Sequence, residues 1–246
     1  MRRAGILCHI TSLPRGTLGE DAARFCIEIR RRGCRVWQML PITTPDEHLS
    51  PYSSNSTFAI NLDLGNPDIR YRLDYEQLDK WVKRNRHWLE DWALYETLKE
   101  GFGGKPWTEW PSMIRERDPV AIKEIKQDLE HDMSSWMRAQ FIVEADWGDL
   151  RRQARDCRVK LFGDLPFFLA HDSADVWANQ HLFLLEESGA PAVVAGVPPD
   201  YFSDEGQRWG TVLYDWEAHR AENFRWWKSR MKRMFKLFHM VRIDHF

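Results

Sequence analysis

Arg242 and Asp244 stand two residues apart in the run Val241-Arg242-Ile243-Asp244, near the end of a 246-residue chain. Alternate residues of an extended strand share a face, so both would point one way and Ile243 the other. A guanidinium beside a carboxylate favours the ionised, nucleophilic form where water is scarce, although the same pair also serves as a buried structural ion pair. His245 follows and could bind a hydroxyl or satisfy a backbone carbonyl. Asp164 ends a second apolar run, Val159 to Gly163, where an aspartate either faces a site at the sheet's C-terminal edge or caps the next turn. Two loops add rings and polar groups: Ser50-Pro51-Tyr52-Ser53 with Phe58, and Asp200, Gln207, Trp209 and Trp216, with Gly206 and Gly210 permitting tight turns. Such a mixture suits a sugar, which has an apolar face and a polar edge. The sequence has no phosphate-cradling glycine loop, metal-spaced histidine cluster or serine elbow, so the chemistry expected is that of carboxylates, with no cofactor and no metal.

Composition narrows the partners. With 35 basic and 37 acidic residues the formal charge is −2, which gives no pull toward nucleic acid or an anionic membrane. The four cysteines lack metal-ligand spacing and are too few for a disulfide scaffold, so reduced thiols are expected. No apolar run reaches the ~20 residues of a membrane helix. The opening apolar stretch is too short for a signal peptide, so a cytoplasmic location is expected. Thirteen tryptophans are an excess, and most should fill cores and helix seams, with a minority left to stack on a ligand.

The elements that must hold these residues alternate. Gly5–Ile10 reads as a strand, Glu20–Arg32 as a helix ended by Gly33, and Arg35–Leu40 as a second strand, a unit typical of a parallel sheet. Residues 43–71 have no helical period. Apolar residues then recur at helical spacing over 75–99 and 120–144, giving a helical insertion over 72–148 between a first barrel segment (1–71) and a continuation (149–246). Val159–Asp164 is the third strand, with Pro166 expected to end its ladder near Asp164. Residues 171–218 show few regular signals. Ala221–Phe238 reads as one helix, with Phe224, Trp227, Met231, Met234, Phe235 and Phe238 on its apolar face, feeding the fourth strand at 241–244. Four strand candidates are half of an eight-stranded barrel, and the chain stops within the fourth. The fold class expected is α/β: the N-terminal part of a (β/α)8 TIM barrel with helical insertions, the barrel incomplete in this chain.

Seven stretches resemble the amylomaltase, or 4-alpha-glucanotransferase, family of the alpha-amylase superfamily: GILCHITSLP (5–14), VWQMLPI (36–42), SPYSSNSTFA (50–59), GDLPFFLAHDSADVWAN (163–179), VVAGVPPDYFSDEGQRWG (193–210), LYDW (213–216) and VRIDHF (241–246). The resemblance implies a retaining transfer of α-1,4-glucan segments, with Asp244 as nucleophile, Arg242 holding it and His245 bonding the sugar. It places Tyr52 against the donor sugar, Asp164 at the pocket rim, and Asp200, Gln207 and Trp209 in a glucan-binding loop over 193–216. The acid/base carboxylate that retention requires, and a third aspartate, would lie beyond Phe246. The isolated chain is therefore expected to be inactive. Two departures bear on binding: Ile60–Leu62 stands where Gly-Asn-Pro commonly follows Phe-Ala, and Thr211-Val212 where Asn-Pro is usual. Loss of the proline is expected to loosen that loop. An α-amylase-type hydrolase and a non-catalytic glucan-binding piece are the competing readings.

Overall fold

The computed structural model describes residues 2–66, 74–199, 201 and 203–245. In chain order the elements are β1 (Gly5–Leu7), α1 (Glu20–Arg31), β2 (Val36–Gln38), α2 (Tyr75–Gly101), α3 (Ser112–Arg115), α4 (Pro119–Asp128), α5 (Glu130–Asp156), β3 (Lys160–Pro166), α6 (Ala174–Ala178), β4 (Val194–Val197), β5 (Gln207–Val212), α7 (Trp216–Ala221), α8 (Arg225–Leu237) and β6 (Met240–Asp244). The four apolar runs form one parallel sheet in the order β1-β2-β3-β6. Helical crossovers of a dozen residues or more bring each strand back in the same direction. The fold is thus α/β with a parallel sheet and helical insertions. Among the described residues, no helix is long and apolar enough to cross a membrane.

Local chemistry sets the helix ends. Asp74, Asp118 and Asp215 each accept two backbone N–H groups at the start of α2, α4 and α7, and Pro119 opens α4 where its missing N–H costs nothing. Four expectations are corrected. The helical period over 120–144 belongs to two helices separated at Leu129, and the second runs on to Asp156. The helix expected over 221–238 starts later, at Arg225, because Asn223 and Phe224 take left-handed conformations between α7 and α8. Its buried face is rotated: Phe235 is exposed, while Arg230 and Arg233 are buried. Finally, β3 continues through Leu165 and Pro166, which pair with Ile243 and Asp244. Phe162 accepts from Met39 on the β2 side and Phe167 donates to Asp244 on the β6 side. By that alternation the missing N–H of Pro166 falls on the β2 side, where β2 has already ended at Gln38.

Nine of the thirteen tryptophans are buried, so the aromatic excess is mostly core. One cluster packs Trp37, Trp147, Leu161 and Phe238 between the sheet and helices α1, α5 and α8. A second gathers Trp88, Trp92, Trp110, Trp177 and Trp226 around α2 and α6. Two buried indoles of the first cluster are anchored by their N–H: Trp147 Nε1 donates to the Leu237 carbonyl at 3.0 Å and Trp37 Nε1 to the Cys8 carbonyl at 2.7 Å. Gly163 on β3 is where the strand meets Phe238, since a Cβ there would lie 2.5 Å from the ring's Cγ.

Arg230 of α8 is fully buried and joins three segments. Its Nε donates to Thr57 Oγ1 at 2.7 Å, Nη1 to the Phe167 carbonyl and the Tyr214 hydroxyl at 3.1 Å, and Nη2 to the Pro166 carbonyl. The loop carrying Thr57 is tied elsewhere too: Asp175 accepts from Thr57 N at 2.8 Å, and Asn55 Nδ2 donates to Glu96 Oε1 at 2.6 Å. Burial pushes the Glu96 carboxyl up to about 7, although Trp92, Lys99 and Asn55 oppose it.

Two outcomes follow from these contacts. Gly163→Ala is expected to lower stability by about 1–3 kcal/mol, read from the denaturant midpoint, because the Phe238 ring is held by Trp147 at 5.1 Å and cannot swing away freely. Glu96 has a folded value above its unfolded one, so its contribution is full below about pH 4.5 and is lost as pH rises through about 7. Glu96→Gln should flatten that decline, by on the order of 2 kcal/mol between pH 4.5 and 7.5, in unfolding curves compared with the parent protein.

Candidate active site

The parallel register of β3 and β6 sets Asp164 opposite Arg242 and Pro166 opposite Asp244. Arg242 and Asp244 share one face of β6, and the guanidinium spans two carboxylates. Its Nε donates to Asp164 Oδ1 at 2.8 Å and its Nη2 to Asp244 Oδ1. The other Asp164 oxygen accepts the Tyr52 hydroxyl at 2.8 Å. The two carboxylates differ in access: the Asp164 side chain is 1% exposed and that of Asp244 17%. Asp164 is the buried anchor of the group and Asp244 its solvent-facing member.

Electrostatics follow from that layering. Burial pushes the Asp164 carboxyl above its usual value, with the Tyr52 and Arg242 hydrogen bonds working against it. The Tyr52 phenol is pushed up to about 12, first by burial and then by its bond to Asp164, so it remains a donor at neutral pH. Desolvation opposes the Arg242 cation, but Asp164 and Asp244 outweigh it and hold its value above that of a free guanidinium.

His245 leaves β6 with φ 56°, a left-handed turn that histidine tolerates better than most residues. That turn brings its ring centroid 4.6 Å from Trp209 and its Nε2 3.4 Å from Asp244 Oδ2. Trp209 sits on β5, which pairs antiparallel with β4 in a hairpin that the sequence reading of 171–218 did not foresee. Gln207, two residues earlier on the same face, accepts from Trp209 Nε1 at 3.1 Å and so orients the indole. Tyr52, Phe168, Trp209, Arg242, Asp244 and His245 line a cleft of about 530 Å³. Asp200 lies outside the described residues. Phe58 is no ligand platform: it is buried against Trp88 and Trp226.

The sequence reading missed Phe167 and Phe168, which also line this cleft. They follow Asp164-Leu165-Pro166 directly, in an apolar run to which no role was given. It also missed Asp46, whose Oδ1 accepts from the backbone of His48 and Ser50 and closes the loop leading to Tyr52. The departure at Thr211-Val212 does not loosen its segment. Val212 is buried and its N–H donates to the Leu169 carbonyl at 3.1 Å, a bond that proline could not make, so the hairpin is stitched to the exit of β3. The departure at Ile60 is also built in: Gln140 bonds both Ile60 backbone groups, and Asn61 Oδ1 caps the following turn. Among the described residues, no three histidine, cysteine or carboxylate side chains converge as a metal site.

A family model described as 4-alpha-glucanotransferase matches residues 8–74 and 70–246. The 4-alpha-glucanotransferase of Thermus thermophilus is 37% identical over 296 residues, spanning all of this chain and 58% of its own length. That of Aquifex aeolicus is 37% identical over 289 residues, again spanning the whole chain and 59% of its own length. The chain therefore spans less than two thirds of these curated relatives. Among solved structures, the amylomaltase of Streptococcus agalactiae in complex with acarbose superposes with a TM-score of 0.91 at 30% identity, over all of this chain and 60% of that one. The amylomaltase of Corynebacterium glutamicum shares the fold, with a TM-score of 0.79 at 14% identity over 99% of this chain and 40% of its own. This chain belongs to the 4-alpha-glucanotransferase family.

Proposed function

We propose that the protein carrying this chain transfers segments of α-1,4-glucan to the free end of another glucan or glucose, by double displacement with retention. The observation that carries this reading is the Arg242-Asp244 ion pair at the cleft, in a chain of this family. In the first step the Asp244 carboxylate attacks the anomeric carbon, the glycosidic C–O bond breaks, and the leaving 4-oxygen takes a proton from a general acid. In the second step an acceptor hydroxyl gives its proton to that same group, now a base, and attacks the glycosyl ester to release Asp244.

Arg242 fixes one Asp244 oxygen and so presets the direction of attack. Tyr52, Phe168 and Trp209 supply faces for the sugar rings and keep water from the ester, favouring a sugar acceptor over hydrolysis. His245 bonds a sugar hydroxyl, and residues 193–216, with Asp200 and Gln207, act as the glucan-binding segment. The acid/base is not assigned to a described residue. Asp46 is committed to its own loop and Asp164 is buried beneath Arg242. In this reading the four parallel strands belong to a (β/α)8 barrel, and 72–148 is its helical insertion.

Maltotriose separates the alternatives. The protein carrying this chain should convert it to glucose together with oligomers longer than the substrate, resolved by chromatography. Shorter sugars with no elongation would instead identify a hydrolase, and binding without turnover a glucan-binding module. Asp244→Asn should lower turnover by roughly 10⁴-fold or more with the fold intact by circular dichroism. A variant that retained near-parental activity would remove Asp244 from the nucleophile's role.

A further inference from the structure

A second cleft of about 620 Å³ lies between α2, α5 and α8 and shares no lining residue with the one that holds Asp244. Helical spacing builds it. Trp81, Arg84 and Trp88 stand on one stripe of α2, and Ser229, Lys232 and Lys236 on the facing stripe of α8. From α5 come Phe141 and Glu144.

The charges in this cleft do not balance. Four cationic side chains, Arg84, Lys232, Arg233 and Lys236, line it against one carboxylate. That carboxylate, Glu144, is taken up by Arg233 at 2.6 Å and Lys236 at 2.5 Å. Arg233 is 5% exposed, donates also to the Phe58 carbonyl, and still has an Nη2 without a hydrogen-bond partner. Lys232 has no acidic partner among the described residues, and Arg84 Nε is turned to the Lys80 carbonyl. His87 lies at the same cleft, and its imidazole is held below the usual value by partial burial and then by the charges of Arg233, Lys232 and Lys236. The local field is therefore positive in a chain whose formal charge is −2.

We propose that this cleft binds a phosphate monoester carried on a sugar ring. A dianion matches the two cations that Glu144 leaves uncommitted, Lys232 and Arg84, and charge-assisted bonds to phosphate oxygens are the strong kind. The walls of Trp81 and Phe141 suit the C–H face of the attached ring, which free phosphate would leave unused. A neutral glucan would use the walls and leave the cations unmet. The site thus differs in ligand chemistry as well as in place from the Asp244 cleft.

Titration calorimetry at low salt tests this with three probes: glucose 6-phosphate, orthophosphate and glucose. Glucose 6-phosphate should bind more tightly than either of the others, and the double variant R84Q/K232Q should weaken it by about tenfold or more. Both substituted side chains are exposed, so an unchanged thermal midpoint and unchanged maltotriose turnover are expected in the variant. Absence of heat with glucose 6-phosphate would overturn the proposal. Equal affinity for orthophosphate would reduce the site to an adventitious ion only, and binding that survives R84Q/K232Q would place the ligand elsewhere, the Asp244 cleft included.

Discussion

The segments that wall the cleft beside the sheet are hung on a buried guanidinium that never reaches it. Arg230 donates to the carbonyls of Pro166 and Phe167 as the chain leaves β3, to Thr57 in the loop that carries Tyr52, and to Tyr214 beyond β5. A charge taken out of water is tolerated when its donors are met, and removing one partner of such a set costs several kcal/mol. The three segments so joined are those that bring Tyr52, Phe168 and Trp209 to one cleft. The stretches Arg230 touches, around Thr57, Phe167 and Tyr214, lie outside the regular strands, so a shared donor does for them what backbone pairing does for the sheet. Asp175, buried and pushed up to about 6 by that burial, adds a second tie to Thr57 from α6.

The sheet was legible in the sequence because buried parallel strands write themselves as short apolar runs, and all four runs proved to be strands. Helices α1 and α2 were equally plain from their period. What failed was punctuation. Nothing in the local period marks Leu129 as a break between α4 and α5, since the apolar spacing continues across it. Asn223 and Phe224 take left-handed conformations inside an otherwise helical pattern, and phenylalanine gives no warning of that. The β4-β5 hairpin was invisible for another reason: its strands carry Gly196 and Gly210 and a shifted register, so period-two alternation is broken.

The site was read in part, and the division has a physical cause. Two-residue spacing placed Arg242 and Asp244 on one side without any tertiary knowledge, and the ion pair between them agrees. Spacing could not say that Arg242 would also reach Asp164, because that depends on the register of β3 against β6. It likewise misjudged α8, where arginine counts as a polar residue. Arg230 and Arg233 occupy the buried stripe because each carries enough donors to satisfy nearby carbonyls and carboxylates, and each lies over a tryptophan ring, Arg233 at 5.0 Å from Trp88. The substitution of valine for the usual proline at position 212 taught the same lesson. A residue's effect depended on where its N–H pointed, and here it points at the Leu169 carbonyl.

In the row Asp164, Arg242 and Asp244 the two carboxylates have different work, because one is buried and the other faces solvent. Asp164 is bound on one oxygen by Tyr52 and on the other by Arg242, and its burial, with the side chain 1% exposed, keeps it from solvent. Its work is to hold the guanidinium still. Arg242, fixed by that buried partner, then meets Asp244 with an edge whose direction is already set. A lone arginine on a strand edge would lose several rotamers to reach the same pose, and that loss would fall on each encounter with substrate. Tyr52 extends the coupling to the loop, because its hydroxyl bonds the same carboxylate while its side chain lines the cleft. A ligand that displaced Tyr52 would therefore disturb Asp164, Arg242 and Asp244 in turn, which makes the position of one loop a condition for the orientation of the carboxylate on β6.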